Sequence, residues 1–287
     1  MANLKGGSYE KQINNAFHRL ESFGVSRYGS NSHNTHSNAL AEKREMYLRD
    51  YFKFANNENY ADKLNQTMTS TNIDKFFENR LDGLSSKTQT DYVRGWSSMV
   101  QGLQENNISI PLDRSYFDNK VSDIKSSAIS NSVKMDRAII NVDKVISDLY
   151  NHRYESGVIA EVQYQLGLRV SEAVELVQNH DRYINSNEVV GLTGKGNHTY
   201  EPKEISRELI AKIEAVENIP HQNTYRNDIS EATNNQHTPH DFRYNYAVKE
   251  FESKIQGGIP YHQALKEVSE GLNHSREEMT NYYLNRA

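Results

Sequence analysis

The sequence predicts a mainly α-helical protein: a helical N-terminal domain, then a mostly helical α+β domain with one small sheet. Three observations predict it. Apolar residues recur at helical spacing behind Ser or Thr through most of the chain. One polar stretch containing Pro111 breaks that pattern near the middle. Only "NEVVGLTGKGNHTYEPKEIS" sets glycines among β-branched residues in the manner of a hairpin.

Residues 1–38 are rich in Asn, Ser, Gly and His, with one amphipathic run from Ile13 to Phe23, and form an extension without an assigned role. A helix is expected over Ala39–Ala55, apolar at Leu40, Met46, Tyr47, Phe52 and Phe54 and basic at Lys43, Arg44, Arg49 and Lys53. "TSTNIDKFFENRLDG" predicts a second, capped by Ser70 or Thr71. "SSKTQTDYVRGWSSMVQGLQENN" predicts a third, with Ser85 or Ser86 as cap. These elements make 39–106 one domain, and the polar residues 107–135 a linker. In 136–287, helices are expected at "DRAIINVDKVISDLY", "YESGVIAEVQYQLGLRVSEAVELV" and "SRELIAKIEAVEN". The hairpin precedes the last of these, and two closing helical segments follow it.

The 287 residues suffice for two ordinary domains. With no cysteine, disulfides and thiolate metal sites are excluded. No apolar run approaches the roughly 18 residues that span a bilayer, so a soluble, cytoplasmic protein without a membrane partner is expected. The net charge of -5 is uneven: residues 1–135 carry 17 Lys and Arg against 15 Asp and Glu, a net +2, and 136–287 carry 16 against 23, a net -7. Bulk charge therefore gives no reason to expect a nucleic-acid partner, and any such reading rests on placed residues.

Four stretches of the second half share a chemistry. In "GLRVSEAVEL", Arg169 opens a helix that Ser171 is placed to cap. In "TGKGNH", Lys195 sits at the hairpin tip between glycines. In "TPHDFRYNYAV", Thr238 caps and Pro239 takes the first helical position, leaving His240 and Arg243 on one face. In "LNHSREEMTNYYL", Ser275 and Glu278 have capping-box spacing, so His274 stands at the entry to a helix bearing Tyr282 and Tyr283. A phosphodiester under attack gains negative charge on its non-bridging oxygens, which guanidinium forks match with paired hydrogen bonds. Such preorganised donors are worth roughly 3 kcal/mol each. A tyrosine, with a reference pKa of about 10, can be the nucleophile if a base or a positive pocket activates it. Lysine or histidine can protonate the leaving oxygen.

The order Arg169, Lys195, His240-x-x-Arg243, His274, Tyr283 resembles the tyrosine recombinase family, the phage-integrase class that includes Xer-type resolvases. "GLRVSEAVEL" looks like its first box, "GKGN" its hairpin, "PHDFRYNYA" its His-x-x-Arg box and "LNHSREEMTNYYL" its last, where the tyrosine falls nine residues after the histidine. That spacing selects Tyr283 and leaves Tyr282 to packing. The resemblance implies a helical core-binding domain over 39–106 and a catalytic domain over 136–287, clamped on double-stranded DNA at a specific site. It also implies self-association on DNA as a dimer or tetramer. Tyr283 is then the nucleophile that forms a 3'-phosphotyrosine; Arg169, Arg243 and His274 hold the phosphate, Lys195 protonates the 5'-oxygen, His240 assists proton transfer and Glu172 buttresses an arginine. No cofactor and no metal are implied. Lys43, Arg44, Arg49, Lys53, Lys87 and Arg94 become candidates for DNA-backbone contact.

Departures from the family pattern are Asn273 in place of a glycine, Tyr244 where many members have histidine, and a short Arg169–His240 interval. Only Leu284 to Ala287 follow Tyr283, so exchange of a C-terminal helix between protomers is not expected. Two other functions fit the same residues: DNA relaxation of the type IB topoisomerase kind, and a non-catalytic DNA-binding accessory protein. His33 and His36 read as a polar loop rather than a metal site, and His180, His198, His221 and His237 receive no role.

Overall fold

The computed structural model describes residues 7–25, 32–58, 63–128, 136–195, 197–274 and 276–287. They form two compact units, Met1–Ser132 and Val133–Ala287. The first is all helical: α1 (Tyr9–Leu20), α2 (Asn38–Asn57), α3 (Leu64–Thr67), α4 (Ser70–Leu81), α5 (Ser86–Glu105) and α6 (Arg114–Ala128). Ser8, Ser37, Thr69 and Ser85 cap α1, α2, α4 and α5 by accepting a backbone N–H three residues on; such caps are worth about 1 kcal/mol each. For α4 the cap therefore lies one residue before the expected Ser70. The core is aromatic, with Tyr51 edge-on to both Phe76 and Trp96 at 5.3 Å.

Two sequence expectations change here. The N-terminal extension contributes Ile13, Ala16 and Leu20 of α1 to this core. The segment read as a linker contains α6, which packs on α5 through Phe117 and Val121. Phe117, Val121 and Ile124 form an i, i+4, i+7 stripe too narrow to stand out among polar neighbours, and Pro111 precedes the helix instead of breaking it. Residues 129–135 of that segment lie outside the described residues.

The second unit is built around α8 (Tyr154–Leu166), whose Val158, Ile159, Ala160 and Val162 are all buried. Apolar residues at consecutive positions demand cover on every side. α7 (Val142–His152), α9 (Val170–Gln178), α11 (Arg207–Glu214) and α13 (Phe242–Gln256) supply it. The remaining helices are α10 (His180–Tyr183), α12 (Gln222–Ala232), α14 (Tyr261–Gly271) and α15 (Glu277–Leu284). Buried Asp228 on α12 accepts from Ser156 at 2.6 Å and Arg153 at 2.9 Å, tying α12 to the start of α8.

The sheet has three short antiparallel strands in the order β1 (Ile184–Asn185), β2 (Glu188–Val189), β3 (Lys203–Glu204), so the expected hairpin gains a neighbour. Between β2 and β3 the two arms stay paired through Thr193 and Thr199, and Gly194 N donates to His198 O at 2.8 Å, holding Lys195 at the tip. Gly196 lies outside the described residues.

Gly167 ends α8 at φ +65, a left-handed conformation that L side chains resist, and a Cβ there would stand 2.5 Å from the Tyr246 ring. Gly167→Ala should therefore destabilise the protein by roughly 2 kcal/mol or more, read as a lower denaturant midpoint with unchanged slope.

Candidate active site

The site is assembled from the ends of helices. Arg169 is the N-cap of α9, and Glu172, in the first turn, reaches back to accept from Arg169 N at 2.7 Å. That carboxylate does the capping work expected of Ser171. Glu172 is 5% exposed and accepts three further hydrogen bonds: Tyr200 Oη at 2.6 Å, Arg169 Nη1 at 2.8 Å and Lys195 N at 3.2 Å. Burial alone pushes its pKa up, but the donors from Tyr200 and Arg169 outweigh burial and hold it below the usual carboxylate value. One ionised side chain thus fixes the arginine of the first box and the base of the lysine hairpin.

Arg243 rises from the first turn of α13 and has no exposed side-chain surface. Its Nη1 donates to Gly167 O and to Tyr200 Oη, and its Nη2 to Leu272 O at 2.8 Å and His274 Nε2 at 3.3 Å. Because a guanidinium only donates, His274 Nε2 accepts, and Nδ1–H points to Thr280 Oγ1 at 3.0 Å. Burial and the nearby Arg243 and Arg169 lower the His274 pKa to about 3. His274 follows Asn273, which adopts a left-handed φ of 51 and whose Nδ2 donates to His198 O at 2.9 Å.

His240 lies on a 3-10 turn, Pro239–Asp241, entered from Thr238. Its Nε2 is 2.6 Å from Tyr283 Oη. Burial, then Arg243, lowers its pKa to about 4, so at neutral pH the imidazole is uncharged and able to accept the phenol's proton. Tyr283 is 5% exposed and stacks on Tyr244, with ring centroids 4.3 Å apart and planes at 12°. Tyr282 is 43% exposed, with the Arg286 guanidinium over its ring at 4.7 Å. The N-cap position of α15 is Arg276, without a side-chain cap; Ser275, the expected cap, lies outside the described residues.

Arg169, Lys195, His240, His274 and Tyr283 line one open cavity of about 610 Å3, together with His198, Asn273 and Met279. Arg243 does not line it but lies behind His274. Sequence reasoning missed Tyr200, which bridges Glu172 and Arg243, and gave no role to His198. Nothing in the spacing singles out Tyr200 among 18 tyrosines. Among the described residues, no three His, Asp or Glu side chains are grouped so that they could hold a metal, and no helix is long and apolar enough to cross a membrane.

The basic face of the first unit needs a correction. Arg44 is buried, donating to Thr35 Oγ1 at 2.9 Å and Ser98 Oγ at 2.8 Å, and burial lowers its pKa to about 10, so it is a core residue and not a phosphate contact. Arg49 is engaged by Glu45 at 2.9 Å and by Glu10. Lys43, Lys53, Lys87 and Arg94 are exposed.

No family model and no curated protein matches the sequence. The chain's fold is that of solved integrase structures, which are of the tyrosine recombinase fold. A lambda integrase dimer bound to a COC' core site aligns over 97% of this chain and 77% of that one, with a TM-score of 0.67 at 13% identity. A shorter lambda integrase in the same kind of complex aligns over 94% and 93%, with a TM-score of 0.64 at 11% identity. The Tn1549 transposon integrase in complex with transposon right-end DNA aligns over 97% and 94%, with a TM-score of 0.54 at 14% identity.

The two histidines make acid sensitivity a test of this geometry. Their folded pKa values lie below the unfolded value of about 6.5, so the unfolded chain takes up protons first and stability falls as pH drops from about 6.5 towards 4. Replacing either by Asn should flatten the fall in unfolding free energy over that window; an unchanged slope would place the imidazole outside the buried cluster.

Proposed function

We propose that the protein is a tyrosine-type, site-specific DNA recombinase that cleaves and rejoins strands through a 3'-phosphotyrosine at Tyr283. The observation that carries this reading is the 2.6 Å contact of Tyr283 Oη with a neutral His240, inside a cavity also lined by Arg169, Lys195 and His274. Tyr283 Oη attacks the scissile phosphorus while His240 takes the phenolic proton. The Oη–P bond forms, the P–O5' bond breaks, and Lys195 protonates the leaving 5'-oxygen. Arg169, oriented by Glu172, binds the non-bridging oxygens as charge builds on them. His274 lines the cavity beside the phosphate, and Arg243, which lies behind it, adds its positive charge from there. The phosphotyrosine keeps the energy of the broken bond, so the free 5'-hydroxyl of a partner strand can reverse the chemistry without a nucleotide.

Double-stranded DNA is the substrate, and self-association on it brings two cleavage sites together. The all-helical first unit serves as a core-binding domain, with exposed Lys53, Lys87 and Arg94, and Lys43 beside the Tyr47 ring, as the side chains that meet phosphates. Integration, excision or resolution of a mobile element is the expected process, in an aqueous compartment where DNA lies.

Captured from expressing cells under denaturing conditions, the wild type should carry covalently linked DNA at a recurring sequence. Tyr283→Phe should carry none while retaining DNA binding, and Tyr282→Phe should behave as wild type. Relaxed plasmid without recombinant joints would instead identify a topoisomerase; site binding with no adduct, a non-catalytic binder. Arg169→Lys should lower the cleavage rate by about 100-fold or more, because an ammonium cannot reproduce the fork; near-normal rates would remove Arg169 from the phosphate.

A further inference from the structure

Tyr283 rests against more than His240. Its ring stacks on Tyr244, and the guanidinium of Arg137 lies over the Tyr244 ring, 5.3 Å from its centroid. The same guanidinium grips Asp241, with Nε donating to Oδ1 at 2.8 Å and Nη2 to the same oxygen. Asp241 is buried and adjoins His240 on the 3-10 turn; its Oδ2 accepts from Thr238 N at 2.9 Å, which closes that turn. Arg137 also donates its backbone N–H to Arg286 O at 2.6 Å, just beyond α15. A single residue ahead of α7 therefore meets the histidine's turn, the aromatic platform beneath the tyrosine, and the chain that follows it.

We infer that Arg137 is a positioning residue that holds Tyr283 and His240 in register, through Asp241 on one side and Tyr244 on the other. This rests on the recombinase reading for its catalytic consequence, but its structural content does not. Arg137 does not line the cavity. It acts by fixing the two elements whose side chains must stay within 2.6 Å. Asp241 needs Arg137 because a carboxylate with 1% side-chain exposure requires a cationic partner. Tyr244 needs it less, since a ring can stack without a cation. An ammonium at position 137 could sit over Tyr244 or meet Asp241 at one point, but it could not grip the carboxylate with two nitrogens. Arg137→Lys should therefore rescue only part of the function lost in Arg137→Gln.

The test joins two readouts on the full chain. In the first, amide hydrogen exchange without DNA is compared between wild type, Arg137→Gln and Arg137→Lys. Arg137→Gln should accelerate exchange in residues 277–287 and 238–243 selectively, leaving α8 protected, with Arg137→Lys between it and wild type. In the second, single-turnover adduct formation is measured on the DNA site captured from cells. Arg137→Gln should slow it by about 10- to 100-fold with DNA affinity unchanged, as expected when reacting groups lose alignment. Tyr244→Phe, which keeps the ring, should stay near wild type, and Tyr244→Ala should slow. Wild-type exchange and rate in Arg137→Gln would overturn the inference, as would an equal loss of DNA affinity, which would make Arg137 a DNA contact. Uniformly faster exchange across the unit would overturn it in favour of a general stability role. If the wild type forms no adduct, the recombinase reading fails, and the exchange data alone still decide whether Arg137 holds α15.

Discussion

The buried carboxylate of Glu172 is the interaction on which the second unit's site depends. An ionised group at 5% exposure is costly unless its oxygens are filled, and here four donors from three separate residues fill them. Those donors are Arg169, the backbone of Lys195 and Tyr200, so satisfying one charge brings the first helix box, the hairpin tip and the hairpin's returning arm to one point. Gly194 shows how tight that point is: a Cβ there would stand 2.7 Å from Glu172 Oε1.

From that point the order spreads through Arg243. With its Nη1 on Gly167 O and Nη2 on Leu272 O, the guanidinium sews the end of α8 to the end of α14 and leaves His274 facing the cavity. Burial first, and the charge of Arg243 and Arg169 second, drive His240 and His274 to their neutral forms. A neutral His240 beside a phenol is poised to receive a proton, whereas an imidazolium would be only a donor. The positive charge of Arg169, Lys195 and Arg243 suits an incoming phosphate.

Much of this was legible in the sequence, and unevenly. Helix starts are legible to within a residue where a Ser or Thr cap sets them, as at Ser85 and Thr238, but α7 begins at Val142, well inside its expected segment, and the stretch from Tyr154 to Val177 breaks at Gly167 into α8 and α9. The residues of the four boxes converge because their spacing encodes helix ends and one hairpin tip. What escaped depends on tertiary partners. Arg44 looks like a surface cation on a helical wheel, yet Thr35 and Ser98, nine and 54 positions away, draw it inside. α6 escaped because three apolar residues are enough once α5 offers a surface to receive them. Tyr200 and Arg137 escaped because their roles lie in long-range hydrogen bonds, to Glu172 and Asp241, that no local pattern announces.

The proposed chemistry turns on one oxygen, the phenol of Tyr283. The most direct measurement is mass spectrometry of the peptide that trypsin releases between Arg276 and Arg286 from denatured protein–DNA adducts, after nuclease trimming. The account predicts a nucleotide remnant on Tyr283 alone, joined through its phosphate. A remnant on Tyr282, on any other side chain, or on no residue of this peptide would contradict it.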